Sequence, residues 1–229
     1  MSRLLTTTLI GAALSMLVAC SGGSESSSTQ ASLIKSTIED MRAALKPKQP
    51  LPALTPQFIA SWPTAMLELV VEDRGNTAYL VPYSDRTDRR KGAIRTWVTG
   101  GNEHLILRNG LLIGTRGMGD DVDSARVLSV LDSVETLTPV SGPHNLFVKD
   151  YDNQARRIDL ECVMESRGET TIDIVQTQHV VVHLRQICKA RDLSVTNDYW
   201  VSTTDRTIWQ SRQWGGPKMG YLHMRLLKK

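Results

Sequence analysis

The sequence is poor in cysteine and in excess charge of either sign. Three cysteines occur among 229 residues, and two of them, Cys162 and Cys188, lie beyond the first thirty positions. Residues 1–19 hold one arginine and no acid, so the rest of the chain has 27 − 1 = 26 basic and 24 acidic side chains, a net charge of +2. This balance argues against a nucleic-acid-binding protein. No second long hydrophobic run follows the N-terminus, so we expect the remainder to be soluble.

Sequence signatures of common catalytic classes are also missing. There is no Gly-x-Ser-x-Gly elbow, and nothing orders Ser, Asp and His into a hydrolase triad. Gly117-x-Gly119 is not a phosphate-binding loop, because no Lys-Ser/Thr pair follows it and no parallel βαβ unit surrounds it. We therefore predict no catalytic residues, no cofactor apart from attached lipid, and no enzyme activity.

Two acidic residues and two histidines remain as candidates for chemistry. Asp120 and Asp121 could form a glycosidase pair, and a periplasmic glycan-modifying enzyme is therefore the alternative function. Adjacent residues rarely face one substrate at the required separation, however, and turn geometry or capping explains both more simply. His179 and His183 flank three valines in a segment typical of a strand, and no further ligand stands at a telling spacing, so no metal site is predicted.

The first thirty residues predict export and lipidation. Arg3 precedes an apolar run at 4–18 that is too short to span a bilayer permanently, which is typical of a signal peptide covering residues 1–19. The string Leu-Val-Ala-Cys that ends at Cys20 resembles the lipobox of bacterial lipoproteins. Residues 20–30 are rich in Ser and Gly and predict a flexible tether. Residues 31–229 are predicted to form a single β-rich periplasmic domain.

The lipobox resemblance implies a defined covalent anchor. The Cys20 thiol would carry a diacylglyceryl group and, after cleavage, the new amino terminus would be acylated. Several acyl chains on one residue exceed the two signals needed for stable membrane attachment. Ser at position 21, rather than Asp, favours the periplasmic face of the outer membrane as the location.

The two remaining cysteines predict a disulfide. Because the periplasm is oxidising, an even pair is more readily a disulfide than a metal or catalytic pair. Cys162 and Cys188 lie in strand-like segments at 158–166 and 180–189. If these strands are neighbours, the bridge closes a loop of about 25 residues and stabilises the fold by about 3 kcal/mol.

Hydrophobic periodicity predicts helices near the start of the body and strands afterwards. Residues 31–45 have apolar positions at helical spacing, and the proline-rich stretch at 46–52 ends them. A second short apolar segment covers 58–62. Asn109-Gly110 is the dipeptide that best suits a two-residue hairpin turn. After it, Asp121 is predicted to cap a short helix at 123–131.

Alternation with a period of two predicts a series of strands joined by short turns, one of them at 167–168. The predicted strands cover 66–73, 77–83, 93–99, 104–108, 111–116, 145–151, 156–166, 170–176, 178–189, 199–203, 207–214 and 221–227. Such a chain folds as an antiparallel meander, and many strands curl into an open or closed barrel. We therefore predict a mainly β fold with an N-terminal helix and a short helix after the Asn-Gly hairpin.

Four tryptophans could contribute to carbohydrate stacking or to the core. They are Trp97, Trp200, Trp209 and Trp214. For any one of them core packing is the more common role. The last two differ by an odd number, so on one regular strand they point to opposite faces and at least one is expected in the core.

Two stretches, 93–121 and 197–227, together with the lipobox and the cysteine pair, resemble the YjbF/GfcB family of outer-membrane lipoproteins. The matching residues outside the cysteines are Arg95, Gly110, Thr115, Gly117, Gly119, Trp200, Gln213, Gly216, Pro217 and Gly220. The chain departs from the expected pattern where Val122 follows Asp121 in place of leucine.

The resemblance implies a barrel-like β meander with an N-terminal helix. It also implies a role in making or exporting exopolysaccharide or group 4 capsule, with partners encoded in the same operon and polysaccharide as a possible ligand. The family motifs are structural signatures and carry over no catalytic residues.

Overall fold

The fold is an antiparallel β meander of twelve strands that curls into a nearly closed barrel. The computed structural model describes residues 50–149 and 154–229. The predicted signal peptide, tether, Cys20 and helix at 31–45 lie outside the described residues. Residues Leu51–Lys229 form one compact unit. No helix in the described ranges has the length and apolar character needed to cross a membrane.

Among residues 50–149 and 154–229, helices are short and strands dominate. The helices are α1 (Pro56–Ser61) and α2 (Leu128–Thr136), with a 3₁₀ turn at Glu72–Arg74. The strands are β1 (Met66–Val71), β2 (Asn76–Arg86), β3 (Ile94–Val98), β4 (His104–Arg108), β5 (Leu111–Arg116), β6 (Val122–Arg126), β7 (Gly142–Lys149), β8 (Ala155–Ile174), β9 (Thr177–Ala190), β10 (Leu193–Ser202), β11 (Ile208–Trp214) and β12 (Tyr221–Lys228). The mainly β meander predicted from alternation is thus confirmed.

The strand order shows how the meander curls. It runs β5-β4-β3-β2-β1-β12-β11-β10-β9-β8-β7-β6, so each strand lies beside a sequence neighbour except where β1 pairs with β12. The two ends of this order, β5 and β6, approach each other. We call their junction the seam.

The barrel interior follows from the alternation of side chains along each strand. Leu67 and Leu69 of β1 stand opposite Leu226 and Met224 of β12, and their side chains enter the main core cluster. A second cluster forms where α2 covers the barrel next to β9 and β10, with Leu131 fully buried. Burial of these aliphatic side chains supplies the main driving force for closure.

The Asn-Gly hairpin is confirmed. Asn109 and Gly110 have φ values of 45° and 85°, so both occupy the left-handed region that a two-residue turn of this kind requires. The turn joins β4 and β5 with Arg108 opposite Leu111.

The turn predicted at 167–168 is wrong, because β8 continues through it as one strand. Ser166 pairs with Leu184 and Glu169 with Val182, so β8 inserts one extra residue relative to β9. Gly168 has a φ of 88°, which lets the chain form this bulge without leaving the sheet. Local glycine signalled a break, but pairing with the long strand β9 keeps the chain extended.

The helix predicted at 123–131 is displaced. Residues Val122–Arg126 form β6, because they pair with β7, and α2 begins at Leu128 after an N-cap position at Val127. Asp121 caps no helix. The start of β10 was also missed, since the strand begins at Leu193 and not at 199.

The predicted disulfide is confirmed. Cys162 of β8 and Cys188 of β9 are directly opposite in the ladder and are bonded, 26 positions apart in sequence. Both are buried in the main core. In the chain-entropy model a loop of this length stabilises the fold by about 3 kcal/mol.

Candidate functional site

Asp121 organises the loop that follows β5. Its Oδ1 accepts hydrogen bonds from Thr115 Oγ1 at 2.7 Å and from the Met118 amide at 3.2 Å, and its Oδ2 accepts from the Gly117 amide at 2.8 Å. Thr115 Oγ1 also accepts from the Val122 amide at 3.0 Å. A carboxylate with these partners is committed to shaping its own loop. The turn role predicted for Asp121 is therefore observed.

Arg74 holds the tip of the same loop. Gly117, Gly119 and Asp120 have φ values of 78°, 72° and 53°, so the tip is a run of left-handed residues. The Arg74 guanidinium donates to the carbonyl of Met118, to that of Gly119 at 3.2 Å and to Asp120 Oδ2 at 3.1 Å. The positive φ values explain the glycines at positions 117 and 119, because a Cβ on Gly119 would make only an ordinary contact, 3.7 Å, with Arg74.

A second glycine-rich loop, at 215–220, lies beside the first. The Gly215 amide donates to the Gly220 carbonyl at 2.8 Å, and the Gly220 amide donates to the Gly216 carbonyl at 3.0 Å. Gly216 and Gly220 have φ values of 112° and 71°. A side chain at Gly220 would overlap the Asp73 carboxylate, and a Cβ at Gly216 would lie 2.8 Å from Val148. Only glycine fits at both positions.

The two loops meet at a small cleft. Lys218 Nζ lies 4.0 Å from Asp120 Oδ1, and the cleft between them measures about 70 Å³, with Lys149, Arg156 and Pro217 also on its wall. This volume is close to that of two water molecules in the liquid. The space enclosed between the two loops is therefore small.

Gln213 ties opposite walls of the barrel together. Its side chain is 3% exposed; Oε1 accepts from the Leu112 amide at 2.9 Å, and Nε2 donates to the Gly110 carbonyl at 2.9 Å and to Ser211 Oγ at 3.0 Å. A Cβ on Gly110 would lie 3.1 Å from Ile208. Gln213 and Gly110 thus join β11 to the β4–β5 hairpin.

A buried polar chain extends this tie along β9 and β10. Asn197 Nδ2 donates to Gln186 Oε1 at 2.9 Å, Tyr199 donates to the same oxygen at 3.3 Å, and the Trp214 amide donates to Asn197 Oδ1 at 2.7 Å. Burial raises the pKa of Tyr199 well above its usual range. The chain satisfies polar groups that would otherwise be costly in the core.

Trp200 lies on the outer surface of the barrel. Its ring stacks on His183 with centroids 4.5 Å apart and planes inclined by 7°. His183 Nε2 is 2.6 Å from Asp198 Oδ1, and Arg185 Nε donates to the same oxygen at 2.8 Å. One face of Trp200 is therefore covered by a fixed imidazole.

Two more arginines of this outer surface pair with carboxylates. Arg212 donates to both oxygens of Glu72 at 2.7–3.0 Å and lies over the Tyr221 ring at 3.4 Å. Arg225 donates to Glu68 at 2.5 Å. These bonds raise the pKa values of both guanidinium groups. We call this surface, made of Glu68, Glu72, Arg185, Asp198, Arg212 and Arg225, the paired wall.

The two histidines considered as metal ligands have separate partners. His179 stacks on Trp209 at 3.8 Å, and His183 belongs to the stack with Trp200. Burial lowers the pKa of His179 below its usual value. Within residues 50–149 and 154–229, no group of three potential metal ligands occurs.

The other predicted residues have structural contacts. Trp97 is buried in the main core, and Arg95 lies over its ring at 5.4 Å while donating two bonds of 2.7 Å to Asp85. Trp214 is also a core residue, whereas Trp209 is partly buried at one end. At least one of the last two was expected in the core, and this is confirmed.

A cleft lined by many charged residues was not predicted from the sequence. It measures about 210 Å³ and lies at the seam, between the end of β2, the β4–β5 hairpin strands and β6. We call it the seam cleft. The charged residues on its wall are Arg86, Asp88, Arg90, Arg108, Arg116, Asp123 and Arg126. They come from distant parts of the chain, so no local motif could indicate them.

Two of these arginines build the cleft. Arg108 is buried; it forms a two-pronged ion pair with Asp88 at 2.6 and 3.1 Å and donates to the carbonyls of Lys91 and Gly92 at 3.0 and 2.9 Å. The hydrogen bond from Arg108 lowers the pKa of Asp88 to about 2. Arg108 thereby holds the loop after β2 in place.

Arg116 closes the seam itself. Its guanidinium donates to the carbonyls of Val122 at 3.0 Å and Asp123 at 3.2 Å, across the junction between β5 and β6. Its Nη2 lies 3.7 Å from the Asp123 carboxylate. Side chains thus join two strands that stand at opposite ends of the sheet order.

Comparisons with known proteins agree with this architecture. A family model described as group 4 capsule polysaccharide lipoprotein GfcB, YjbF, matches residues 38–227. The crystal structure of the hypothetical lipoprotein YmcC from Escherichia coli (K12) is similar, with a TM-score of 0.64 at 18% identity over 91% of this chain and 98% of that chain. At this identity the likeness concerns the fold alone. No curated protein matches the chain significantly.

Proposed function

The chain belongs to the YjbF family of group 4 capsule polysaccharide lipoproteins, and from this premise we propose that it is a non-catalytic accessory protein of exopolysaccharide or capsule production and export. Lipid on Cys20 holds the barrel at the periplasmic face of the outer membrane, with residues 21–30 as a tether. There it binds polysaccharide or export proteins encoded in the same operon.

The observation that carries the non-catalytic role is the commitment of the motif residues to structure. Thr115, Gly117 and Gly119 form a loop around the Asp121 carboxylate, and Gln213 ties that wall of the barrel to β11. A general acid or base needs a free group within reach of a substrate. Asp121 instead accepts three hydrogen bonds within its own loop.

Asp120, the other carboxylate of the alternative enzyme hypothesis, is also engaged. It pairs with Arg74 at 3.1 Å and faces Lys218 at 4.0 Å. The cleft beside it measures about 70 Å³, and Asp120 is the one carboxylate among its described lining residues, whereas glycosidase chemistry uses two. These contacts support a scaffold or binding role over a hydrolytic one.

Deletion of the gene tests the proposed role. Surface polysaccharide, measured by uronic acid and hexose content of washed cells, should fall or change in composition. The wild-type gene should restore it, and Asp120→Asn should restore it equally well because Asp120 pairs with Arg74 and Lys218 and has no catalytic role. Unchanged polysaccharide in the deletion strain would reject the proposal, and failure of Asp120→Asn with normal protein levels would favour the enzyme.

The anchor is tested separately with Cys20→Ser. A fatty acid supplied in the medium should label the wild-type protein and not this variant, and the variant should leave the membrane fraction. Equal labelling of both would reject lipidation at Cys20, and full restoration of polysaccharide by an unlabelled variant would reject the need for an anchor.

A further inference from the structure

We propose that the seam cleft binds carboxylate-bearing sugars of an acidic polysaccharide. This inference rests on the proposed role in polysaccharide production and names the ligand class that such a role would require. It depends on three properties of the cleft: its excess positive charge, its fixed walls and its partly apolar floor.

The first property is uncompensated charge. Five arginines and two aspartates line the cleft, a formal excess of +3. Arg108 is bonded to Asp88, and Arg116 lies near Asp123. Among the described residues, the remaining three, Arg86, Arg90 and Arg126, form no direct ion pair with a carboxylate. The charge of Arg90 acts at longer range on Asp88, which is already bonded to Arg108.

Other acids near the cleft are already paired. Asp85 receives two bonds from Arg95, and Lys91 is bonded to both Asp132 and Glu135. These carboxylates therefore do little to neutralise the three arginines. Because like charges in one cleft repel, an anionic group that enters gains from all of them.

The second property is rigidity. The loop after β2 is held by Arg108, which donates hydrogen bonds to Asp88 and to backbone carbonyls of the loop. The opposite wall is fixed where Arg116 bonds to the β6 carbonyls. A cleft whose walls are held before binding loses less entropy when a ligand enters, so more of the interaction with the arginines contributes to affinity.

The third property is size and polarity. The cleft volume of about 210 Å³ matches about seven water molecules, which suits one sugar ring better than an acyl chain. Ile106, Ile113 and Leu128 contribute an aliphatic floor, and Leu128 is 46% exposed. Such a floor accommodates the C–H face of a sugar while the guanidinium groups bind its carboxylate with two parallel hydrogen bonds.

Calorimetric titration of the full-length protein in a nonionic detergent tests the proposal. The probe is oligogalacturonate, and its methyl-esterified form has the same rings without the charges. The charged probe should bind and the ester should bind at least about tenfold more weakly, since charge-assisted bonds to arginine are lost. Equal binding of both probes, or no binding of the charged one at low salt, would overturn the inference.

A matched pair of triple variants locates the site. Arg86→Gln, Arg90→Gln and Arg126→Gln together should weaken binding by about tenfold or more. The control combines Arg157→Gln, Arg167→Gln and Lys189→Gln, which remove the same charge from exposed positions on β8 and β9 and should leave affinity within about twofold. Equal losses in both would mean non-specific attraction and would overturn the site. Matching thermal melts establish that both variants fold.

A last arm distinguishes sugar from lipid. Mixed micelles containing phosphatidylglycerol should not displace oligogalacturonate from the cleft. Displacement that disappears in the Arg86/Arg90/Arg126 variant would identify a lipid headgroup as the ligand and overturn the sugar assignment. If oligogalacturonate fails to bind while gene deletion still lowers surface polysaccharide, only the ligand assignment fails and the accessory role remains.

Discussion

Arginines occupy two regions of this barrel with opposite consequences. On the paired wall Arg185, Arg212 and Arg225 each hydrogen-bond a carboxylate. At the seam cleft Arg86 and Arg126 face a cavity without such a partner in residues 50–149 and 154–229. Arginine content alone therefore says little about binding. The carboxylates around each arginine side chain determine whether it is free to bind a ligand.

Strand pairing explains the difference. On the paired wall continuous ladders place acids opposite bases: Asp198 faces both Arg185 and Arg212, and Glu68 faces Arg225. Cross-strand pairs of opposite charge stabilise a sheet. At the seam cleft the ladders place Arg86 opposite Ile94 and Arg126 opposite Asn145, so neither arginine faces an acid across a strand pair.

The largest loss of stability is expected when the contact that links these two regions of the barrel is removed. Gln213 joins β11, which also presents Arg212, to the β4–β5 hairpin beside the seam. Gln213→Leu should destabilise the protein by about 3–4 kcal/mol, because the Leu112 amide and the Gly110 carbonyl both lose a buried partner. Urea unfolding measures this, and a loss below 1 kcal/mol would show that the tie is dispensable. Gln210→Leu, on the outer face of the same strand, is the matched control.

A buried histidine gives a second prediction, which concerns the pH dependence of the free energy of unfolding. His183 has a partner on the paired wall, whereas His144 Nδ1 is buried without one among the described residues, and burial lowers the pKa of His144 to about 4. Between pH 6.5 and 4 the unfolded chain binds a proton that the folded chain does not. Stability should therefore fall by about 3 kcal/mol as pH drops through this window.

Replacement of His144 tests the assignment. His144→Phe should remove the largest part of the pH dependence of the free energy of unfolding in the same window. A smaller dependence should remain from His179 and His223, whose pKa values burial also lowers. Denaturant unfolding at several pH values provides the measurement. If the free energy of unfolding of the variant depends on pH as that of the wild type does, another group is responsible.

Removal of a single carboxylate of the paired wall should reduce the free energy of unfolding by an intermediate amount. Asp198 is nearly buried and accepts bonds from both His183 and Arg185. Asp198→Ala should cost about 2 kcal/mol, since two donors lose a charged acceptor. The double variant Asp198→Ala with Arg185→Ala should recover part of this loss. If the single variant melts like the wild type, the wall contributes no stability.

The smallest effect is expected at the seam cleft. Arg126→Gln should change the free energy of unfolding by less than about 0.5 kcal/mol, because this exposed side chain has no carboxylate partner in the described part of the chain. Thermal melts compare it with Arg212→Gln, which breaks the pair with Glu72 and should be the more destabilising. A larger loss for Arg126→Gln would reveal a structural role for the cleft arginines.

Sequence patterns predicted local features well where one local force dominates. Alternation placed most strands, Asn109-Gly110 predicted the hairpin, and the even cysteine pair predicted the Cys162–Cys188 bridge. Errors arose where pairing overrode local signals. Gly168 indicated a turn but is a bulge in β8, and residues 122–126 pair with β7 instead of entering a helix.

The sequence by itself determined the export and lipidation prediction, the family, and the β meander, because each depends on neighbouring residues or on a short period along the chain. Only the tertiary structure decided the roles of the motif residues. In it, Asp121 accepts a hydrogen bond from Thr115, and Gln213 of β11 donates one to the Gly110 carbonyl in the β4–β5 hairpin. It also brought Arg86, Arg90 and Arg126 to one cleft. The pairing of β1 with β12 joins strands that are far apart in sequence, and no local pattern encodes which charges then lack a partner.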